Sequence, residues 1–302
     1  MALEFEVSIS SGEVLKGWHF PADQAKRNLC IITGMDEYAM RYAPFAEWMN
    51  AHGVHVWVLD AFGQGRNAAS IEELERWPKD AFQKQVEAIH EMIVLARKNG
   101  LPTAQMGHSM GSFLTQARLQ RYPLDADATI LMGSNGGQAA LMKAGHVLAK
   151  AAVNRKNWDV PNETLTTIAF ASYAKSVPNA KSPADWLSYN EENVRTYLED
   201  PWCGAVNTGG FWVEFLKGLS TLWDKKNMAR VSPDERILLV AGTEDPVGQM
   251  SKGVRWLYNA YRRLGVTDVV LKLYPLMRHE ILKEDGKEKV CEDILAFIEK
   301  EV

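Results

Sequence analysis

Gly107-His108-Ser109-Met110-Gly111 stands between a segment able to run as a buried strand, Pro102-Thr103-Ala104-Gln105-Met106, and a helix-forming run, Ser112-Phe113-Leu114-Thr115-Gln116-Ala117-Arg118-Leu119. A strand entering Gly-x-Ser-x-Gly and a helix leaving it make a sharp, strained turn that lifts one serine hydroxyl clear of a sheet. The glycines answer a steric demand, because a side chain at either would strike the neighbouring strand or helix. At ordinary residue frequencies the three glycine and serine positions coincide in roughly one chain in ten of this length, so the flanking strand and helix carry the weight. An ordinary serine at a helix N-terminus would need neither glycine.

A serine hydroxyl is barely ionised near neutral pH; it needs a base to take its proton and an acid to orient that base. Ile237-Leu238-Leu239-Val240-Ala241 is an apolar run ending in Gly242-Thr243-Glu244-Asp245-Pro246-Val247, which puts Asp245 in the loop leaving a strand. Val269-Val270-Leu271-Lys272-Leu273-Tyr274, followed by Pro275-Leu276-Met277-Arg278-His279-Glu280, hangs His279 from the next such loop. Open parallel sheets gather ligand chemistry at the carboxyl ends of their strands, so a nucleophile, an acid and a base meet at one edge. Glu244 and Asp60 compete for the acid role, and Asp-Pro is also a common turn pair. Asp60 reads better as a holder of backbone N–H groups in its own turn. His108 reads as support for the turn, its side chain pointing away from Ser109.

With these residues in place the chain resembles an α/β-hydrolase, and within that superfamily the monoacylglycerol lipase and lysophospholipase branch. Gly107–Gly111 is similar to the branch's nucleophile motif, Thr243-Glu244-Asp245-Pro246-Val247 to its acid loop, and Arg278-His279-Glu280-Ile281-Leu282 to its histidine loop. Upstream, Thr33-Gly34-Met35-Asp36-Glu37-Tyr38-Ala39-Met40-Arg41-Tyr42 resembles the loop after the third strand, which lends one backbone N–H to an oxyanion hole. The resemblance implies Met35 as that donor and Met110 as the second. Asp60-Ala61-Phe62-Gly63-Gln64-Gly65-Arg66-Asn67 resembles the turn after the fourth strand. Thr33, Asp36, Gln64 and Asn67 depart from the usual His, Gly, His and Ser, and none is a triad position. The implied fold is a mostly parallel sheet flanked by helices, with an inserted helical cap. The implied reaction is hydrolysis of a lipophilic acyl ester through Ser109, His279 and Asp245 and an acyl-enzyme, with no cofactor and no metal.

Composition agrees with one catalytic unit. The 302 residues, 46% hydrophobic and 24% charged, suffice for one large domain with an insertion. A net charge of −4 leaves no electrostatic footprint for nucleic acid. No basic segment followed by an apolar core opens the chain, and no apolar run approaches the ~18 residues of a membrane span. Cys30, Cys203 and Cys291 are few and far apart, which reads as reduced thiols in a cytoplasmic protein. Cys203 lacks a histidine partner and reads as a small hydrophobe.

Strand and helix signals alternate as a parallel sheet requires. Helices are expected over residues 41–52 and 79–99, the second with Phe82, Val86, Ile89 and Ile93 on one face. Met250, Val254, Leu257, Tyr261 and Leu264 form a further helical stripe, and Val290, Ile294 and Phe297 the last. Between residues 133 and 230 no strand signal appears. The division is therefore a core of residues 1–133 and 231–302 with a cap of residues 134–230. That third of the chain holds five of the ten tryptophans, Trp158, Trp186, Trp202, Trp212 and Trp223. They read either as an apolar substrate pocket or as the cap's own small core. Leu141, Val147, Leu148 and Val153 are expected to pack inward, with an acyl pocket or transient contact with a membrane surface as the other readings.

Two alternatives stand beside the esterase reading. An aminopeptidase or thioesterase shares the triad and differs in cap chemistry, and fold alone does not separate them. The peptidase would need an acidic cradle for a free amino group, for which Glu191, Glu192, Glu199 and Asp200 are candidates; their helical spacing reads instead as a solvated face. A non-catalytic binding protein would be expected to lack a triad member, and all three are present.

Overall fold

Leu29 and Ile31 pack on one side of the central sheet, and Cys30 and Ile32 on the other. This two-residue alternation between two apolar layers recurs in Leu238 and Val240 against Leu239 and Ala241. The computed structural model describes residues 1–300. Eight strands, β1 (Leu3–Ser8), β2 (Val14–Phe20), β3 (Arg27–Ile32), β4 (Val54–Leu59), β5 (Thr103–His108), β6 (Ala128–Met132), β7 (Arg236–Gly242) and β8 (Asp268–Tyr274), form one sheet. Their order is β1-β2-β4-β3-β5-β6-β7-β8. β2 runs antiparallel to β1 and β4, and the remaining pairs are parallel. β5, β6 and β7 are buried at every residue, as strands covered on both faces must be.

On one face α1 (Ala43–Ala51) and α10 (Lys287–Glu299) contribute Phe45, Met49, Val290 and Ile294. On the other, α2 (Ala81–Ala96), α3 (Met110–Arg121) and α9 (Lys252–Arg263) contribute Val86, Ile89, Leu114 and Leu257. Each such side chain, fully buried, is worth roughly 1.5–3 kcal/mol relative to an exposed one. Two helix starts differ from the sequence expectation. Residues 39–42 form a 3-10 turn, so α1 begins at Ala43 with Pro44 in its first turn, where a missing N–H costs little. Met250 lies before α9 and not on its stripe, because Gln249, Met250 and Ser251 all take positive φ, which no helix accepts.

Between β6 and β7 the chain runs through α4 (Ala139–Ala152), α5 (Glu163–Lys175), α6 (Glu191–Glu199), α7 (Gly209–Leu222) and α8 (Lys225–Met228). α4 lies along α7, which in turn packs on α2 and α3. The inward packing expected of Leu141, Val147 and Leu148 is not found; they are 59%, 68% and 51% exposed. The seam of α4 is made by small residues, Ala149 buried and Gly145 against Leu216, so the bulky side chains are turned outward.

Candidate active site

Ser109 takes φ 52°, ψ −118° at the junction of β5 and α3, a conformation that costs about 1–3 kcal/mol and persists only where its surroundings enforce it. The flanking glycines show the enforcement. A Cβ on Gly107 would lie 2.3 Å from the Gly111 carbonyl oxygen, and one on Gly111 would lie 2.4 Å from that of Ile32. The Ser109 N–H is tied to the Met132 carbonyl at 3.0 Å, fastening the turn to β6.

The loops after β7 and β8 are laced together. The Thr243 N–H donates to the Tyr274 carbonyl (2.9 Å) and that of Glu244 to Met277 (3.1 Å). This brings His279 Nδ1 to 3.0 Å from Asp245 Oδ2, both groups buried. Asp245 Oδ1 accepts from the Val247 N–H at 2.8 Å, which aims the other oxygen at the imidazole. Burial by itself would pull the His279 pKa down; the Asp245 carboxylate outweighs it and holds the imidazolium above the ordinary histidine value. Trp186 lies over the same ring with centroids 5.1 Å apart. The competing acids are engaged elsewhere. Asp60 accepts from the Ala39 (2.6 Å) and Arg66 (3.1 Å) N–H groups, and Glu244 faces the Tyr189 hydroxyl.

Ser109, His279, Met35 and Met110 line one small cavity of about 80 Å3. Among the described residues no backbone or side-chain acceptor takes the Met35 or Met110 N–H. Met35, Phe113, Phe170, Tyr173, Phe215 and Val247 also line an apolar chamber of about 480 Å3, which continues past Trp212 and Trp223. Leu141, Leu148 and Ile168, all largely exposed, line it as well. The tryptophans therefore divide: Trp186 meets the histidine, Trp212 and Trp223 meet the chamber, and Trp158 donates its N–H to the Trp77 carbonyl at an outer groove. Trp202 lines neither cavity of the site.

His108 does not turn away from Ser109. Its ring lies 4.7 Å from that of His279 and lines the small cavity. The reason is Glu37, whose Oε1 faces His108 Nδ1 at 3.0 Å and also accepts from the Gly34 N–H and the Tyr42 hydroxyl. Burial would raise the Glu37 pKa; contact with His108 and the charge of Arg41 instead take it well below the carboxylate range. Arg41 reaches Glu280 at 3.0 Å; burial would raise the Glu280 carboxyl, but the charges of Lys283 and Arg41 together hold it at about 2. Sequence reasoning missed this network, although Glu37 and Arg41 stand at i,i+4 and Glu280 adjoins His279.

The departures are ties between segments distant in sequence. Asn67 bonds both the N–H and the carbonyl of Lys16, Thr33 Oγ1 donates to Gln64 Oε1, and Asn207 Nδ2 donates to Asp36 Oδ1. Glu192 and Glu199 are bridged by Arg195 on an exposed face, Glu191 pairs with Lys181, and Asp200 accepts from the Tyr38 hydroxyl, so no acidic cradle forms there.

A family model described as serine aminopeptidase, S33 (Hydrolase_4) matches residues 23–286. A monoacylglycerol lipase of Mycolicibacterium smegmatis is 27% identical over 279 residues, 91% of this chain and 89% of that protein. A thermostable carboxyl esterase from Bacillus coagulans, in complex with glycerol, superposes with a TM-score of 0.86 at 22% identity over 98% of this chain and 99% of its own. A lipase in an open form does so at 0.87 and 23%, over 99% and 98%. At these identities the two structures speak for the α/β-hydrolase fold alone.

Proposed function

We propose that this chain, which belongs to the serine aminopeptidase S33 family and is a serine hydrolase of the α/β-hydrolase fold, cleaves carboxylic esters with a lipophilic acyl chain, as a monoacylglycerol lipase or lysophospholipase does. One observation carries the reading. Ser109 on its strained turn and the Asp245-bound His279 share a cavity whose walls continue into an apolar chamber of about 480 Å3. His279 takes the Ser109 proton as Oγ attacks the ester carbonyl. The Met35 and Met110 N–H groups hold the resulting oxyanion, and Asp245 keeps the imidazole in the right tautomer and stabilises its cation. His279 returns the proton to the departing alcohol. Water then attacks the acyl-enzyme by the same route, releasing the acid and restoring Ser109.

Residues 134–230 serve in this reading as a cap on the core formed by residues 1–133 and 231–302. The exposed Leu141, Leu148 and Ile168 on the chamber wall suit brief contact with a lipid surface. Among the described residues no helix is long and apolar enough to cross a membrane. Esters are favoured over aminoacyl amides because, of the three carboxyls lining the small cavity, Glu37 and Glu280 are already paired with Arg41 and Asp36 is engaged by Asn207. Labelling with a fluorophosphonate tests the nucleophile. Wild-type protein should be modified at Ser109, and Ser109→Ala should lose labelling and nearly all ester turnover, down to the residue supplied by binding and the oxyanion donors. Undiminished labelling of the alanine variant would sink the assignment.

A further inference from the structure

Two carboxyl groups lie buried side by side behind the Met35 loop. Asp36 directly follows Met35, and Glu75 lies in the segment before α2; they are 6% and 1% exposed and within hydrogen-bonding reach of each other. Among the described residues no cation pairs with them, since Arg41, the nearest cation along the loop, is engaged by Glu37 and Glu280. The side chains that donate hydrogen bonds to them are neutral. Asn207 Nδ2 donates to Asp36 Oδ1 at 2.6 Å, and Gln64 Nε2 donates to Glu75 Oε1 at 3.0 Å while its own oxygen accepts from Thr33. Glu75 Oε2 has no donor among the described residues unless a carboxyl proton supplies one.

Two buried carboxylates in contact without a counter-ion do not both ionise. We propose that Asp36 and Glu75 share one proton, and that this pair is a positioning device that holds the Met35 N–H at the oxyanion site. The inference rests on the assignment of Met35 as an oxyanion donor made above. Three segments meet at the pair. Asp36, at φ 58°, accepts the Gly204 N–H on its carbonyl (3.1 Å), and the Glu75 carbonyl accepts from Thr208 Oγ1 (2.7 Å) at the start of α7. With the proton present, the oxyanion loop, the segment 63–75 and residues 204–208 are joined. With it gone, two like charges face each other without a counter-ion, and the displacement of Asp36 reaches Met35 through a single peptide unit.

Other titratable groups surround the pair. Glu37, in the same loop, stays ionised through His108 and Arg41. Tyr197 of α6 has its phenol raised well above its ordinary range by burial, and the half-buried Cys203 thiol is pushed up to about 12. Burial takes Asp36 up to about 7 and Glu75 well above its ordinary value. Asp60, in its own turn, is likewise raised to about 7 by burial and must be controlled for.

The test is the pH dependence of kcat for a neutral ester, and of fluorophosphonate labelling of Ser109, in wild type, Asp36→Asn, Asp36→Ala and Asp60→Asn. An asparagine at 36 can accept from Asn207 and donate to Glu75 at every pH. Wild type should show an alkaline fall in kcat of at least tenfold, a fraction of the ~10²–10³ that a lost oxyanion donor costs. Asp36→Ala should be slow at every pH. Asp36→Asn should recover most of the loss seen with alanine and flatten the alkaline limb, and Asp60→Asn should retain the limb. Stability gives a second reading. A carboxyl raised in the folded state stabilises fully below its unfolded pKa of ~4 and loses that contribution as pH rises through the folded value. The wild-type Tm should therefore fall between pH 4 and pH 7 more than that of Asp36→Asn. An alkaline limb unchanged in Asp36→Asn, or abolished by Asp60→Asn, overturns the proposal while leaving the triad intact; labelling that survives Ser109→Ala overturns the site itself.

Discussion

The chamber beside Ser109 makes a quantitative prediction about acyl chain length. Its volume is about 480 Å3. At ~30 Å3 per water-sized unit and a protein-like packing density of ~0.75, it takes on the order of ten methylenes. Each methylene moved out of water is worth about 0.8 kcal/mol, or roughly fourfold in kcat/KM. Along a series of p-nitrophenyl esters, kcat/KM should climb from acetate to roughly ten to twelve acyl carbons and then level off. Gly145→Leu should shorten that range. Gly145 sits on α4 and lines the chamber, and a Cβ there meets Leu216 at 3.4 Å, ordinary contact distance. Leucine is also the better helix former by up to ~1 kcal/mol, and a thermal melt of the variant checks that α4 keeps its seam with α7. Its side chain removes room for about three methylenes, a loss of about 2.4 kcal/mol, on the order of fiftyfold for the longest esters. Acetate should be hydrolysed within a few-fold of the wild-type rate. A profile that peaks at acetate, or a variant that slows all chain lengths equally, would refute the chamber as the acyl site.

Asp245→Asn should fold normally and lose on the order of 10⁴ in kcat, because the amide favours the wrong His279 tautomer; Asp60→Asn should cost far less, and steady-state rates compare the two. Gly133→Ala should cost about a hundredfold in kcat with little change in KM: its φ is +58°, and the added Cβ would stand 2.9 Å from His279 Cε1, enough to misplace the base. The acid limb of kcat/KM should lie above the ordinary histidine pKa of ~6.5, because Asp245 raises His279 and the base works only when neutral. A limb at or below that value would show that the carboxylate does not govern the imidazole.

The fold was legible wherever one residue pattern answers to one local geometry. Gly107 and Gly111 declared their turn because no side chain fits between β5, β3 and α3, and the apolar run 237–241 announced a strand covered on both faces. The positions of Asp245 and His279 followed from strand ends on one sheet edge. The 3-10 start before α1 and the three positive-φ residues before α9 left no such mark, since many sequences tolerate them.

Sequence by itself determined the strand–turn–helix around Ser109, the alternation of strands and helices, and the strand-end loops that carry Asp245 and His279, because each depends on neighbours within a few residues or on strand ends. Tertiary structure alone decided what faces what across long separations. Glu37 draws the His108 ring toward His279 from 71 residues away, against the expectation that it turns aside. The narrow alanine and glycine seam between α4 and α7 turns Val147 and Leu148 outward, although their apolar character suggested burial. Asp36 meets Asn207 across 171 residues. No local propensity records such encounters, because burial, charge and the presence of a partner are properties of the packed chain and not of any one segment.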